Sequence, residues 1–315
     1  MNVLRQSPPA AAKPLPFPQA FRHGTARVGD LHLHYVEGGE GRPILLIPGW
    51  PQTWYAWRHV MPLLVEAGRR VIAVDPRGTG ESDRPLDGYD LATVAADIHG
   101  LVEALDLLSS GPIDVAGHDV GAWIAYAYAS DWRSDIRRLA LLDALIPGLS
   151  AARVDLGVRE GHLRSWHFPF NQLDDLPELL LAGREHAFLT WLFRAKSVRP
   201  WAFTADDIDE YARQLAAPGA IRAATAYYKA AFSAEGIAAN RSRAERPLEI
   251  PLHVLGAERG LGEAMVEALT PLARDVRGRA VSDCGHYMPE ECPDEIAAEL
   301  LAFFEPASIR TERFA

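Results

Sequence analysis

The stretch Val115-Ala116-Gly117-His118-Asp119-Val120-Gly121-Ala122-Trp123 constrains this chain more than any other. Glycines stand two positions before and two after Asp119. The run PIDVAG (112–117) precedes the turn and the alanine-rich AWIAYAYASDW follows it, so the pattern reads strand, sharp turn, helix. Glycine on both sides removes the Cβ atoms that would hold the strand and the helix apart, and the residue between them is presented on a tight bend. The plainer alternative is a turn whose aspartate caps the helix. The segments around it favour the first reading.

Other short β-branched runs occur at 31–37, 43–49, 69–75 and 137–143, separated by helical stretches, which is the texture of a parallel sheet with helices on both faces. After about residue 147 the strand texture stops, and alanine, leucine and aromatics recur in patterns such as LPELLLAGREHAFLTWLFRA. It returns at 250–257 and 275–283, ahead of an amphipathic helix over 293–304. The order predicts an α/β core formed by 25–146 and 247–315, a helical cap inserted over 147–246, and a proline-rich arm over 1–24. The arm lacks the uninterrupted apolar run of an export signal, and no stretch approaches the ~18 apolar residues of a membrane span, so a cytoplasmic location is expected.

With 32 basic and 42 acidic residues the chain carries a formal charge of −10, which argues against nucleic acid and anionic membrane surfaces as partners. A small-molecule substrate is the expected partner; a homodimer stays open. Cys284 and Cys292 are too few for a disulfide framework or a cysteine zinc site. They bracket His286, and a local disulfide and a pair of thiols fit equally. No metal or organic cofactor is expected.

If Asp119 is a nucleophile it needs a base, and DCGHYMPEEC places His286 in a loop after the last expected strand. An orienting acid is offered by Asp143, which ends its strand just before the insert, and by Glu258, which follows 250–257; Asp143 is favoured because Glu258 sits in a charged turn, GAERG. The N–H of Val120 and the N–H of Trp50, in the loop Pro48-Gly49-Trp50-Pro51, are the expected oxyanion donors, since Pro51 has none. The glycine-punctuated loop over 75–82 lacks a phosphate-binding ending and reads as scaffold.

The aspartate selects the substrate class. Serine attacking a saturated carbon would form an ether that activated water cannot cleave, whereas aspartate forms an ester with a carbonyl that water can attack. The electrophile is therefore an sp³ carbon with a leaving group: an epoxide, whose departing oxygen needs a proton, or an alkyl halide, whose departing anion needs only donors. The insert offers Trp166-His167-Phe168-Pro169-Phe170 and Ala226-Tyr227-Tyr228-Lys229. Neighbouring helical residues point about 100° apart, so one of the two tyrosines faces a common site. Trp123, Phe168 and Tyr227 are expected to contribute substrate-binding surface. A non-catalytic binding protein that keeps such a pocket is the alternative from another class, disfavoured by the complete set of nucleophile, base and acid.

Over roughly residues 25 to 305 the chain resembles the α/β-hydrolases of the epoxide hydrolase and dehalogenase branch, through PGWPQTWYAW, GHDVGAW, LLDALIP, SWHFPF, AYYKAAF and CGHYMPEEC. The resemblance implies the α/β-hydrolase fold with a helical cap, Asp119 as nucleophile, His286 as base, Asp143 as acid, and His167 with Tyr228 as the ring-opening pair. It also implies that Cys284 and Cys292 can be joined. Three departures qualify it: Pro48 stands where the family loop usually begins with histidine, the acid is the shorter aspartate, and most epoxide hydrolases use two cap tyrosines. Fluoroacetate dehalogenases carry arginines one and four residues after the nucleophile to bind the substrate carboxylate; here those positions are Val120 and Trp123. Without such an anchor a neutral, hydrophobic epoxide fits better than a haloacid.

Overall fold

The computed structural model describes residues 21–149 and 159–305. The expected arm over 1–24 lies almost wholly outside the described residues, as do the insert residues 150–158.

Eight strands form one sheet: β1 (Arg22–Val28), β2 (Leu31–Gly38), β3 (Pro43–Ile47), β4 (Arg70–Val74), β5 (Ile113–His118), β6 (Ile136–Leu142), β7 (Leu252–Ala257) and β8 (Val276–Val281). Their order is β1-β2-β4-β3-β5-β6-β7-β8, with β2 antiparallel to both its neighbours and every other pairing parallel. Parallel strands covered on both faces are rich in apolar residues, and β3, β5 and β7 are buried at every position, with Asp114, His118 and His253 as their buried polar residues.

Alternate residues feed two core layers. Leu45, Ile47, Val115, Leu139 and Leu141 pack with the helices Leu91–Ala104 and Val120–Asp131. Ile44, Leu46, Ala116, Ala140 and Leu142 pack on the other face with Val60–Glu66 and Pro293–Phe304. The last of these helices coincides residue for residue with the amphipathic stretch expected there.

β1 was not legible as a strand, because RHGTARV carries few β-branched residues and a central glycine. The pairing with β2 explains the glycine: Gly24 lies opposite Tyr35, whose ring covers the place a Cβ would occupy. The loop after β4 is scaffold, as read. Asp75 Oδ1 accepts the Trp54 N–H at 2.7 Å, and Asp75 Oδ2 pairs with His34 Nδ1 at 2.7 Å.

Between β6 and β7 the described chain is helical, with the longer helices Glu185–Lys196, Ala205–Leu215, Ala220–Ala231 and Ala234–Ala244 and the short His167–Asn171. Their starts are written locally: Thr204 and Asp207 form a reciprocal capping box, and Ser233 accepts the Gly236 N–H. Buried polar contacts tie these helices to the core. Arg58 bonds Glu290 and, at 3.0 Å, Asp207, while Tyr211 donates to Glu290 at 2.9 Å. Among the described residues no helix is long and apolar enough to cross a membrane.

Candidate active site

β5 ends at His118 and the next helix begins at Val120, leaving Asp119 alone on the bend with φ 52° and ψ −123°. A non-glycine residue at positive φ costs on the order of 1–3 kcal/mol, which the surrounding packing must impose. The glycines make it feasible. A Cβ on Gly121 would come within 2.5 Å of the Pro48 carbonyl oxygen and closer still to that of Ile47, and one on Gly117 would strike the Gly121 backbone. A Cβ on Gly49 would meet Asp119 itself.

The bend splits the Asp119 carboxylate between two environments. Oδ1 accepts the Trp50 N–H at 2.9 Å, and Oδ2 lies 3.3 Å from His286 Nε2. Among the described residues no hydrogen bond joins the Val120 N–H, the second expected donor, to this carboxylate. On the far side of the imidazole, His286 Nδ1–H donates to Asp143 Oδ2 at 2.8 Å. Asp143 Oδ1 accepts the N–H groups of Ala257 and Leu261 at 3.0 and 2.9 Å, so both oxygens of the acid are held. The other candidate acid, Glu258, accepts the Asp283 N–H at 2.8 Å and is exposed, away from the imidazole.

The charges respond accordingly. Burial alone would raise the Asp119 carboxyl, but the hydrogen bond and charge of His286 outweigh it and hold it well below the usual carboxylate range. Burial and the Lys196 charge push His286 down, yet Asp119 and Asp143 prevail and leave it raised above 6.5.

Above the carboxylate stands an aromatic box centred on Tyr228, whose ring lies 5.6 Å from Trp50, 5.4 Å from Trp123, 5.8 Å from His167 and 5.7 Å from Phe168. His167 stacks on Trp50 with 12° between the planes. Trp123 is fixed by its Nε1–H donating to the Leu145 carbonyl at 2.9 Å. Tyr228 Oη, His167 Nδ1 and both amide atoms of Asn171 are buried without a well-formed hydrogen bond among the described residues, the Tyr228 hydroxyl and the Asn171 amide standing close enough to interact. Buried polar atoms left open in this way are costly unless something fills the space between them.

Tyr227 departs from the substrate-binding position expected for it. One helical step turns it away from Asp119, and its hydroxyl donates to the Arg77 carbonyl at 2.7 Å. It lines a cleft with Gly78, Gln214 and Leu215 that also includes Trp50 and Val120.

Four positioning groups escaped the sequence reading. His118, pushed down to about 4 by burial and then by His286, donates from Nε2 to the His286 carbonyl at 2.7 Å. Glu291 accepts the N–H groups of Val198, Arg199, Gly285 and Tyr287 at 2.7–3.2 Å, pinning the His286 loop to the chain after Glu185–Lys196. Lys196 donates from Nζ to His167 Nε2 at 3.4 Å. Tyr287, next to the base, is buried with its hydroxyl open. The glutamate pair in MPEEC was visible, but nothing in the sequence says which backbone groups it meets. Cys284 and Cys292, whose joining the resemblance implied, are free thiols packed in the core layer beside Pro293–Phe304.

Among the described residues no cluster of three or more His, Cys, Asp or Glu could hold a metal ion.

Comparison with known proteins gives a consistent picture. Residues 42–291 match the family model described as alpha/beta hydrolase fold. The soluble epoxide hydrolase of Corynebacterium sp. (strain C12) is 34% identical over 286 residues, covering 90% of this chain and 97% of that protein. The crystal structure of Cfl2 from Burkholderia cenocepacia superposes with a TM-score of 0.86 at 41% identity, covering 91% of this chain and 96% of the other. A fluoroacetate dehalogenase from Burkholderia sp. is more distant, 26% identical over 92% of this chain and 95% of its own.

Proposed function

The chain belongs to the α/β-hydrolase fold family and is an epoxide hydrolase within it, and from that premise we propose how its own residues open a small hydrophobic epoxide to a vicinal diol. Asp119 Oδ2 attacks one epoxide carbon, forming the alkyl ester as the carbon–oxygen bond of the ring breaks. Tyr228 and His167 donate hydrogen bonds to the departing oxygen, and this pair supplies the proton it takes up. Trp123 and Phe168 wall the substrate, and the helices over 147–246 act as the cap that closes on it. His286 Nε2 then removes a proton from water, which adds to the ester carbonyl while the Trp50 N–H, joined by that of Val120, stabilises the oxyanion. Collapse returns the Asp119 carboxylate and releases the second hydroxyl, protonated by His286.

The observation that carries the reading is the division of the Asp119 carboxylate, one oxygen bonded at 2.9 Å by Trp50 and the other beside His286, beneath a pair of buried donors with open valences. A halide would need no proton at that place, and the charge-assisted anchor for a haloacid is missing at Val120 and Trp123.

The test is the intact mass of a His286→Gln variant, whose ester should accumulate, after exposure to epibromohydrin, a probe with both an epoxide and a carbon–bromine bond. An adduct on Asp119 that keeps bromine is expected; an adduct without bromine means halide displacement and overturns the proposal. Asp119→Asn should form no adduct.

A further inference from the structure

Lys196 has no part in the scheme above, yet its side chain ends inside the reacting centre. It closes the helix Glu185–Lys196, its carbonyl accepts the His286 N–H at 3.2 Å, and its ammonium donates to His167 Nε2 at 3.4 Å. Among the described residues it forms no ion pair within 4 Å, whereas Lys229, half-buried like it, pairs with Asp174 at 3.0 Å. An ammonium partly withdrawn from water without a counter-ion in contact is expensive. The chain otherwise avoids lysine: Lys13, Lys196 and Lys229 are the three lysines among its 32 basic residues. Arginine cannot give up its proton at any working pH, and lysine can.

The bond from Lys196 also fixes the imidazole. With Nε2 accepting, the ring proton belongs on Nδ1, which is buried with no hydrogen bond of its own among the described residues. Stacking on Trp50 restrains the ring from turning.

We propose that Lys196 is the proton source of ring opening, acting through His167. As the epoxide carbon–oxygen bond breaks and Asp119 Oδ2 forms the ester, the oxygen takes the proton on His167 Nδ1 while Nε2 of the same ring takes one from the Lys196 ammonium. A neutral imidazole and a neutral amine remain. Hydrolysis of the ester regenerates Asp119, which sheds one proton on returning to its carboxylate; that proton enters His167 at Nδ1 as Nε2 returns its own to the Lys196 amine, restoring both the ammonium and the starting tautomer. The proposal rests on the epoxide hydrolase reading and adds to it a positioning residue that sets the proton inventory.

Protonation equilibria agree with the geometry. Burial, then the Lys196 charge, holds His167 well below 6.5, so the ring is neutral and can give a proton only if it receives one. Burial brings Lys196 itself down to about 8 against the opposing pull of Asp119 and Asp143. Burial pushes the Tyr228 phenol well above its ordinary value, which makes it a hydrogen-bond donor and a poor acid. The ionisable groups around Lys196 are Asp119, Asp143, His286 and His167, with Glu291 holding the chain just beyond it.

The test uses the His286→Gln background, which halts after ester formation, and follows growth of the epibromohydrin adduct on Asp119 by intact mass from about pH 6 to about pH 10. The parent should slow above about pH 8. Lys196→Met should alkylate about 10²-fold more slowly and lose that alkaline decline; Lys196→Arg should carry the decline out of the range, because a guanidinium does not titrate there. Alkylation by Lys196→Met within about twofold of the parent, or an unmoved alkaline decline in either variant, overturns the relay and leaves Tyr228 as the direct acid. Should Lys196→Met fail to fold, the decline in Lys196→Arg decides alone. If the parent forms no adduct at all, the activity and the relay fall together, which separates that failure from failure of the relay by itself.

Discussion

Replacing Asp143 by asparagine tests the triad with little change of shape. The amide oxygen can still accept the Ala257 and Leu261 N–H groups, so the fold should survive. What changes is the partner of His286 Nδ1, 2.8 Å away: an acceptor becomes an NH₂ donor. The imidazole must then place its proton on Nε2, the nitrogen that should take one from water. The lost charge adds to the effect. Two unit charges whose centres are about 4 Å apart interact by about 4 kcal/mol at an effective dielectric near 20. At about 1.4 kcal/mol per tenfold, that predicts roughly 10³-fold slower ester hydrolysis. Ring opening does not use His286 as base and should stay within a few-fold of the parent. Mixing enzyme with epoxide and sampling by intact mass would therefore show the Asp119 ester forming promptly and persisting in Asp143→Asn. Glu258→Gln, which alters only the contact to the Asp283 N–H, should behave as the unmodified protein. Rapid ester turnover in Asp143→Asn, or a larger defect in Glu258→Gln, would refute the assignment of the orienting acid.

Three further outcomes follow from the same geometry. His286 is held above 6.5 in part by the Asp119 charge, which alkylation removes, so the acid limb of ester hydrolysis should lie below the His286 titration of the free enzyme measured by NMR. Because the folded value is raised, this interaction stabilises the fold fully below the ordinary value and fades as pH rises through the raised one; melting curves of the unmodified protein and of His286→Gln should converge across that window. Gly121→Ala places a methyl against the Ile47 and Pro48 carbonyls, so Asp119 should lose its bend: soluble yield or melting temperature should fall by the equivalent of about 2 kcal/mol or more, and an unaffected, active variant would sink that account.

The sequence determined the parts that depend on local chemistry. Seven of the eight strands announced themselves as short β-branched runs between helical stretches, and the central ones, covered on both faces, are buried at every position in β3, β5 and β7. The final helix announced itself through its periodicity, and the Gly-x-Asp-x-Gly frame through the steric demand of a turn that only glycine relieves. The identity of Asp119 carried the proposed chemistry, since an aspartate ester is the adduct that water can reopen. Tertiary structure decided whatever depends on where remote segments meet. β1 is a strand because Tyr35 lies over Gly24, a pairing invisible in RHGTARV. Asp143 rather than Glu258 reaches His286 because β6 and β7 are neighbours, so that backbone N–H groups after β7 hold the acid that follows β6. Tyr228 faces the box and Tyr227 the Arg77 carbonyl by one helical step, a choice set by the packing of Ala220–Ala231. Lys196 had no local signature. A lysine at a helix end reads as a solvated charge until the insert folds over Asp119 and leaves its ammonium against His167.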